Sequence, residues 1–441
     1  MRRWSGSFLC SRQARVWALI GLGLRLFLMP IAVHGDLLIM QFSAHFLAYH
    51  GKLIGDTLYP NQLVYPLPIY LLMALMQFLL KPLMPYYHIG DVLDSNVLFG
   101  WFNTWHRPIY LFLLKVHYLP FDYAGALLFT RWGNTERSRL RLFRFWMLNP
   151  LLLFGTYAWG QFDIIPMFFT LLSLHYAREG KATWAGVWLG IGAAFKIYPL
   201  LFLPFLILLA TEARFWRKAL AGLVGVVPYI LAFLPYFLIP DISNSEAFHQ
   251  GHALLTGGEN QRLTDAAWGI GYGHQLYIYF IIYGLLLFHA FWKARNGVAS
   301  LADLWRYEFA TLMFIFPLVN FHPFWLVWLV PTVGFYLNTE RVGRFFPYGF
   351  WLLLHAGLLL CDWGNPFTVH LVAPTFVQVM RWPDVRVLIS TVFPAEKLGD
   401  ILRSLLLALT IGLVTLGLFQ IRAGNNEEAK HACNLPINKQ Y

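Results

Sequence analysis

Four stretches of this chain, residues 16–33, 219–239, 345–361 and 401–421, are each long and apolar enough to cross a lipid bilayer. A spanning helix needs about 17–25 mostly apolar residues. Shorter apolar runs fill much of the remaining sequence, and 58% of the 441 residues are hydrophobic. Only 12% are charged, against about 25% in a soluble domain. Inside hydrocarbon every backbone N–H and C=O must be satisfied internally, which a helix does by itself. The sequence therefore predicts an all-α polytopic membrane protein of about 12–14 membrane segments.

The net charge of +11 follows topology. Basic residues group at the N-terminus, at Arg131, Arg137, Arg139, Arg141 and Arg144, and at Arg178 and Lys181. Further groups are Arg214, Arg217 and Lys218, then Lys293, Arg295 and Arg306, then Arg341 and Arg344. Cytoplasmic loops are enriched in Lys and Arg, so these groups and both termini are expected in the cytoplasm. The outward loops are then 34–65, 159–163, 196–199, 240–274, 320–323 and 362–397, the first of them carrying short interfacial helices. Between residues 65 and 131 this parity requires a dip of two short arms that turns near 115–122. The first hydrophobic stretch follows four arginines like a signal peptide, but it has no small-residue cleavage site and reads as an uncleaved first helix. Residues 1–422 form one transmembrane domain, and 423–441 form a polar, disordered cytoplasmic tail. No basic stripe interleaved with exposed aromatics marks a nucleic-acid surface. Cys10, Cys361 and Cys433 are far apart and have no metal-ligand spacing.

Ionisable and amide side chains inside apolar segments are expensive and face protein interiors or cavities. Asp36 lies at the outer end of the first span, where a carboxylate can stay ionised and accept a proton from a hydroxyl; an interfacial Asp that only ends a helix has the same position. Gln161 and Asp163 sit between two apolar runs, as a helix–helix hydrogen bond, a surface turn or a polar substrate contact would place them. Lys196 has no acid close by in sequence, so it wants an anion such as a lipid phosphate, or it snorkels. Arg25, in mid-helix, fits snorkelling or a buried pair. His322 in Asn320-Phe-His322-Pro323 fits a phosphate-orienting or proton-shuttling group, and equally an interfacial helix cap. Tyr59 and Tyr65 bracket the end of the first outward loop.

Motifs of soluble enzymes are absent: there is no Walker loop, no HExxH pair, no Gly-x-Ser-x-Gly elbow, and Gly190-x-Gly192 lacks the third glycine of a dinucleotide site. A lipid-linked sugar flippase or secondary transporter is the alternative class. Inverted repeats and matched broken helices, which mark such carriers, are not evident. A polymerase or ligase would carry an Arg-rich outer loop, whereas the outer loops here hold mainly Arg262, Arg381 and Arg386.

An ordered set of short stretches carries a resemblance. It comprises Leu24-Arg25-Leu26, Gly35-Asp36, Gly55-Asp-Thr-Leu-Tyr59 with Tyr65-Pro66, Leu148-Asn149-Pro150 and Trp159-Gly-Gln161-Phe-Asp163. Phe195-Lys196-Ile-Tyr-Pro199 and Phe321-His322-Pro323 complete it. In this order the set resembles the GT-C superfamily of membrane glycosyltransferases, most nearly the polyprenyl-phosphate-mannose-dependent enzymes of glycosyltransferase family 87, and more distantly the GPI mannosyltransferases. The resemblance implies a GT-C-like helical bundle and transfer of a sugar, mannose by analogy, from a polyprenyl-phosphate donor to a lipid or glycan acceptor on the non-cytoplasmic face. It implies Asp36 as general base and His322 in the donor site. Inversion at the anomeric carbon is expected because one base and one displacement suffice. Lys196 is expected at the lipid phosphate, Gln161 and Asp163 at sugar or acceptor, and Tyr59 and Tyr65 along the pocket wall. Membrane lipids surround the protein, and no cofactor is expected. Two departures from the family pattern stand out: Asp36 has no acidic neighbour, so no metal site is expected, and Tyr65-Pro66-Leu-Pro68 replaces a Tyr-Pro-Pro.

Overall fold

Proline placement decides where the first span stops. In the computed structural model, helix α1 (Arg12–Leu28) begins under the Ser11 hydroxyl, which accepts from the Ala14 amide at 3.2 Å. Pro30 has no amide proton to extend that helix, so the chain turns and re-enters helix as α2 (Gly35–His50). The span expected at 16–33 thus starts earlier and ends sooner. The structure describes residues 8, 11–51, 65–83, 107–211, 214–238, 262–271, 274–338 and 345–419; Tyr59 and the expected tail 423–441 lie outside these.

After Pro66 comes α3 (Leu67–Leu80). Where a dip was expected before Arg131 the chain forms two consecutive helices, α4 (Arg107–Lys115) and α5 (Tyr118–Thr130), broken at Val116-His117. Helix α6 (Glu136–Met147) is capped by Thr135. Asn149 caps the next turn through its side-chain oxygen, which accepts from the Leu151 and Leu152 amides at 3.0 and 3.3 Å, and Pro150 sits at the first helical position, where its missing N–H costs nothing. A π-helical segment, Leu153–Trp159, follows. Helices α7 (Ile164–Arg178), α8 (Ala182–Phe195), α9 (Leu203–Leu209) and α10 (Phe215–Leu238) come next. A small antiparallel hairpin of β1 (Ala267–Gly271) and β2 (His274–Tyr277) leads into α11 (Ile278–Arg295) and α12 (Leu304–Leu318). A 3-10 segment, Pro323–Leu329, connects to α13 (Val330–Asn338), then α14 (Phe345–Asp362), a looped region holding α15 (Val385–Ser390), and α16 (Ala395–Phe419).

Among the described residues, three helical stretches are long and apolar enough to cross a membrane: Phe215–Tyr236, Phe345–Asp362 and Ala395–Leu418. Only 22%, 33% and 28% of their apolar windows are buried, so most of that surface is left for lipid. Leu231, Leu353 and Ile411 are among the large apolar side chains that point outward. Shorter apolar helices pack inside, where partial spans are tolerated because protein surrounds them. The chain is an all-α membrane protein, as expected.

The interior is joined by small residues and by satisfied polar groups, as membrane helices require. A Cβ at Gly186 or Gly190 of α8 would run into backbone carbonyls of α10, so only glycine allows this approach. Gln77 of α3 donates to the backbone and side-chain oxygens of Gln41 on α2, at 2.8 and 2.7 Å. Arg25 resolves to a buried pair: its Nε and Nη2 donate to Asp122 of α5 at 2.5 and 3.3 Å, and its Nη1 to the Gly21 and Met147 carbonyls. Trp146 Nε1 and Tyr157 Oη donate to the same carboxylate, both at 2.6 Å. Lys115, fully buried, donates to the carbonyls of Met29, Ala32 and Tyr157, capping the end of the first helical stretch.

These contacts also fix direction. Phe143 packs on Phe8 and Arg144 sits 5.6 Å over the Trp17 ring, near the start of α1. Met147 and Tyr157 meet Arg25, and Trp159 meets His34 beyond its end. Helix α6 and the segment after it therefore run parallel to α1, with arginines at one end and Asp36 at the other. The 17 residues of α1 separate the two ends by roughly 25 Å.

Candidate active site

Trp159-Gly160-Gln161 builds the site around Asp36. Gly160 has φ 95°, a left-handed conformation that side chains rarely adopt. A Cβ there would also lie 2.7 Å from the Leu37 side chain. The turn brings both neighbours onto one acceptor: Trp159 Nε1 and Gln161 Nε2 donate to Asp36 Oδ2 at 3.3 and 3.1 Å. Tyr118 Oη holds the turn by donating to the Gly160 carbonyl at 2.8 Å.

Asp36 stands in the first turn of α2, where the positive end of the helix dipole favours a carboxylate. Its side chain is 32% exposed. The His34 amide donates to the Trp159 carbonyl at 2.9 Å, and the His34 ring stacks on Trp159 with centroids 4.1 Å apart. That placement sets His34 Nδ1 3.2 Å from both the Asp36 amide and Asp36 Oδ1. With its proton on Nε2 the ring caps the helix; protonated at Nδ1 it donates to the carboxylate. Burial pushes the Asp36 carboxyl up, but the His34 hydrogen bond, the charges of His34 and His322 and the Trp159 N–H together outweigh burial and hold it at about 2.

His322 lies at the same end of the molecule. It precedes the Pro323–Leu329 turn, stacks with Phe324 at 5.3 Å and meets the Trp363 ring at a tilt, 5.6 Å away. Phe367 lies between the two histidines, 5.2 Å from His34 and 6.4 Å from His322. Trp159 packs on the same wall, 5.2 Å from Phe324.

The other half of the site is charged and buried. Lys196 Nζ donates to Asp163 Oδ1 at 2.8 Å, and the Trp328 indole donates to that oxygen as well. The anion that the sequence leaves unassigned for Lys196 is thus Asp163, 33 residues away. Phe324, Trp328, Tyr65, Phe162 and Trp325 surround Nζ at 4.7 to 5.8 Å. Such cation–π contacts strengthen when water is excluded. Phe324 touches both halves, Trp159 on one side and Lys196 on the other. Gln161 Oε1 and Asp163 Oδ2 are buried acceptors with no hydrogen-bond partner among the described residues.

Asp36, Tyr65, Gln161, Asp163, Lys196 and His322 therefore gather around one aromatic wall, while Tyr59 lies outside the described residues. The sequence reading missed His34 and the rings of Trp159, Phe324, Trp328 and Phe367 as site members. The signal was present in His34, two residues before the acid, and in the aromatic spacing of 324–328. No trio of His, Cys, Asp or Glu gathers as a metal-ligand set among the described residues. Chemically, the arrangement offers an oriented, partly open carboxylate beside an imidazole and a flat aromatic face.

The model of glycosyltransferase family 87 matches residues 97–320, about half of the chain. That stretch carries Gln161, Asp163 and Lys196 and ends two residues before His322. GPI mannosyltransferase 1 of Saccharomyces cerevisiae (strain ATCC 204508 / S288c) is 28% identical over 114 residues. The match spans 25% of this chain and 26% of that relative's length. No solved structure matches.

Proposed function

Because the chain belongs to glycosyltransferase family 87, we propose that it transfers a sugar from a polyprenyl-phosphate donor to a lipid or glycan acceptor. Mannose is the sugar we favour, from the partial likeness to a GPI mannosyltransferase. The reaction takes place at the membrane face that carries Asp36, the non-cytoplasmic one if the arginine-rich end is cytoplasmic. The observation that carries the proposal is the Asp36 carboxylate, aimed by Trp159 and Gln161 and flanked by two histidines.

The acceptor hydroxyl hydrogen-bonds to Asp36. Its oxygen attacks the anomeric carbon, the bond from that carbon to the phosphate oxygen breaks, and the hydroxyl proton passes to the carboxylate. One displacement inverts the anomeric centre. A carboxylate as acidic as Asp36 is a weak base and takes the proton late. That suits an oxocarbenium-like transition state, in which the hydroxyl becomes acidic only as the new bond forms. The leaving group needs no activation beyond stabilisation of its charge. His322 and Lys196 approach Phe324 from two directions and hold the departing phosphate, while Asp163 fixes Lys196. Gln161 orients the acceptor through Asp36, and Tyr65 lines the wall. The polyprenyl chain stays in the bilayer, so the donor reaches the site without leaving the membrane.

The purified protein, incubated with polyprenyl-phosphate mannose and a lipid acceptor extract, should release polyprenyl phosphate and form a mannosylated product. Asp36→Asn should lower turnover on the order of 10²–10⁴-fold while still retaining donor. Undiminished turnover in that variant would remove Asp36 from the role.

A further inference from the structure

A second cavity opens at the arginine-rich end of the molecule. Between α6, α13 and α14 is a cavity of about 500 Å³, lined by Arg141, Arg144, Leu148, Leu337, Tyr348 and Leu352 among others. We propose that it seats one acidic phospholipid, with the phosphate at the two arginines and an acyl chain along the apolar walls.

The order of residues along α6 argues for this occupant. Arg141, Arg144, Phe145 and Leu148 all line the cavity at three- and four-residue spacing, so they share one helix face. That face changes from cationic to apolar over roughly 10 Å, the order of a headgroup followed by its chain. The facing wall repeats the order. Asn338 closes α13 at the mouth, where it accepts from the Ser138 hydroxyl at 2.8 Å, and Leu337 follows deeper. On α14, Tyr348 and Leu352 continue the apolar lining.

Charge and location select an acidic lipid over a neutral one. Arg141 and Arg144 are exposed. Arg144 is steadied over Trp17, and Arg141 makes no ion pair among the described residues. A guanidinium matches a phosphate through two parallel hydrogen bonds. The mouth belongs to the arginine-rich end, which the positive-inside rule places at the cytoplasmic leaflet, where anionic lipids concentrate. The arginine mouth of the cavity is separated from Asp36 by the length of α1, and the lining shares none of the transfer site's residues, so the proposal does not depend on the sugar-transfer reading.

The test uses the full-length protein in neutral detergent, titrated with dioleoyl phosphatidylglycerol, dioleoyl phosphatidylcholine or glycerol phosphate. Bound lipid is read by native mass spectrometry and stability by the melting midpoint. Phosphatidylglycerol should be retained and should raise the midpoint, and the other two should not. Arg141→Ala with Arg144→Ala should weaken phosphatidylglycerol retention on the order of tenfold or more. Arg141→Gln, a milder change at an exposed position, should weaken it in the same direction with an unchanged lipid-free midpoint. Equal retention of the two lipids, binding of glycerol phosphate as tight as the lipid, or wild-type retention in the arginine variants would each overturn the proposal.

Discussion

Gln161 Nε2 donates to Asp36 Oδ2 at 3.1 Å, joining residues 125 positions apart in sequence. The contact needs the left-handed turn at Gly160 and the stacked His34–Trp159 pair, so it reports on the assembly of the whole site. Removing the amide leaves the carboxylate with one fewer donor and more freedom to rotate. A hydrogen bond to a charged group contributes about 1.5–3 kcal/mol, so Gln161→Ala should lower single-turnover transfer by roughly ten- to a hundredfold. Gln161→Glu, which sets a second negative charge beside Asp36, should cost more. Normal single-turnover rates in both variants would assign the contact to packing alone.

The depressed Asp36 carboxyl gives a pH prediction. A carboxyl held at about 2, against an ordinary 3.8, is ionised throughout the neutral and mildly acidic range, and whatever it contributes disappears only as pH falls through its folded value. The wild-type profile of kcat/KM should therefore show no acidic limb from Asp36 above about pH 4. His34→Ala removes a hydrogen bond and a positive charge from the carboxylate, so it should move that limb upward. Coincident profiles for the two proteins would show that His34 does not set the ionisation of Asp36.

Part of this was legible in the sequence. Apolar length marked the helices of the C-terminal half within a few residues, because in hydrocarbon the length of an apolar run is itself the constraint. Asp36, Gln161, Asp163, Lys196 and His322 stood out as polar groups in apolar surroundings, and they do converge. The pairing was not legible. Arg25 meets Asp122 across 97 residues and Lys196 meets Asp163 across 33, through turns whose angles no local pattern encodes. Helices were expected in the first outward loop and Gly35–His50 is one; its 16-residue extent was not legible, because its residues have no one-sided apolar pattern and its packing on α3 depends on Gln41 and Gln77.

The Arg25–Asp122 pair should dominate stability. Asp122→Ala leaves two guanidinium nitrogens, the Trp146 indole and the Tyr157 hydroxyl without their acceptor in a fully buried place. Breaking one side of a buried pair costs about 3–5 kcal/mol. The melting midpoint in detergent should fall sharply. Arg25→Met together with Asp122→Leu should fall less, because no charge is left buried alone. A double variant no more stable than Asp122→Ala would show that the pair is more than mutual neutralisation.

The Lys196–Asp163 pair separates two roles that a single substitution confounds. Lys196→Met alone leaves Asp163 as a lone buried carboxylate, and Asp163→Asn alone leaves a lone buried ammonium, so each single variant loses stability whatever Lys196 does for the donor. Lys196→Met with Asp163→Asn removes both charges and should regain most of that loss, a coupling that the double-mutant cycle measures directly. Donor affinity then becomes the deciding quantity. If Lys196 holds the lipid phosphate, the refolded double variant should bind polyprenyl phosphate at least about tenfold more weakly than wild type, while Asp163→Asn, which keeps the ammonium and removes its competitor, should bind it no more weakly. If the double variant binds polyprenyl phosphate as wild type does, Lys196 serves only to neutralise Asp163 and to anchor the aromatic wall, and the phosphate contact passes to His322.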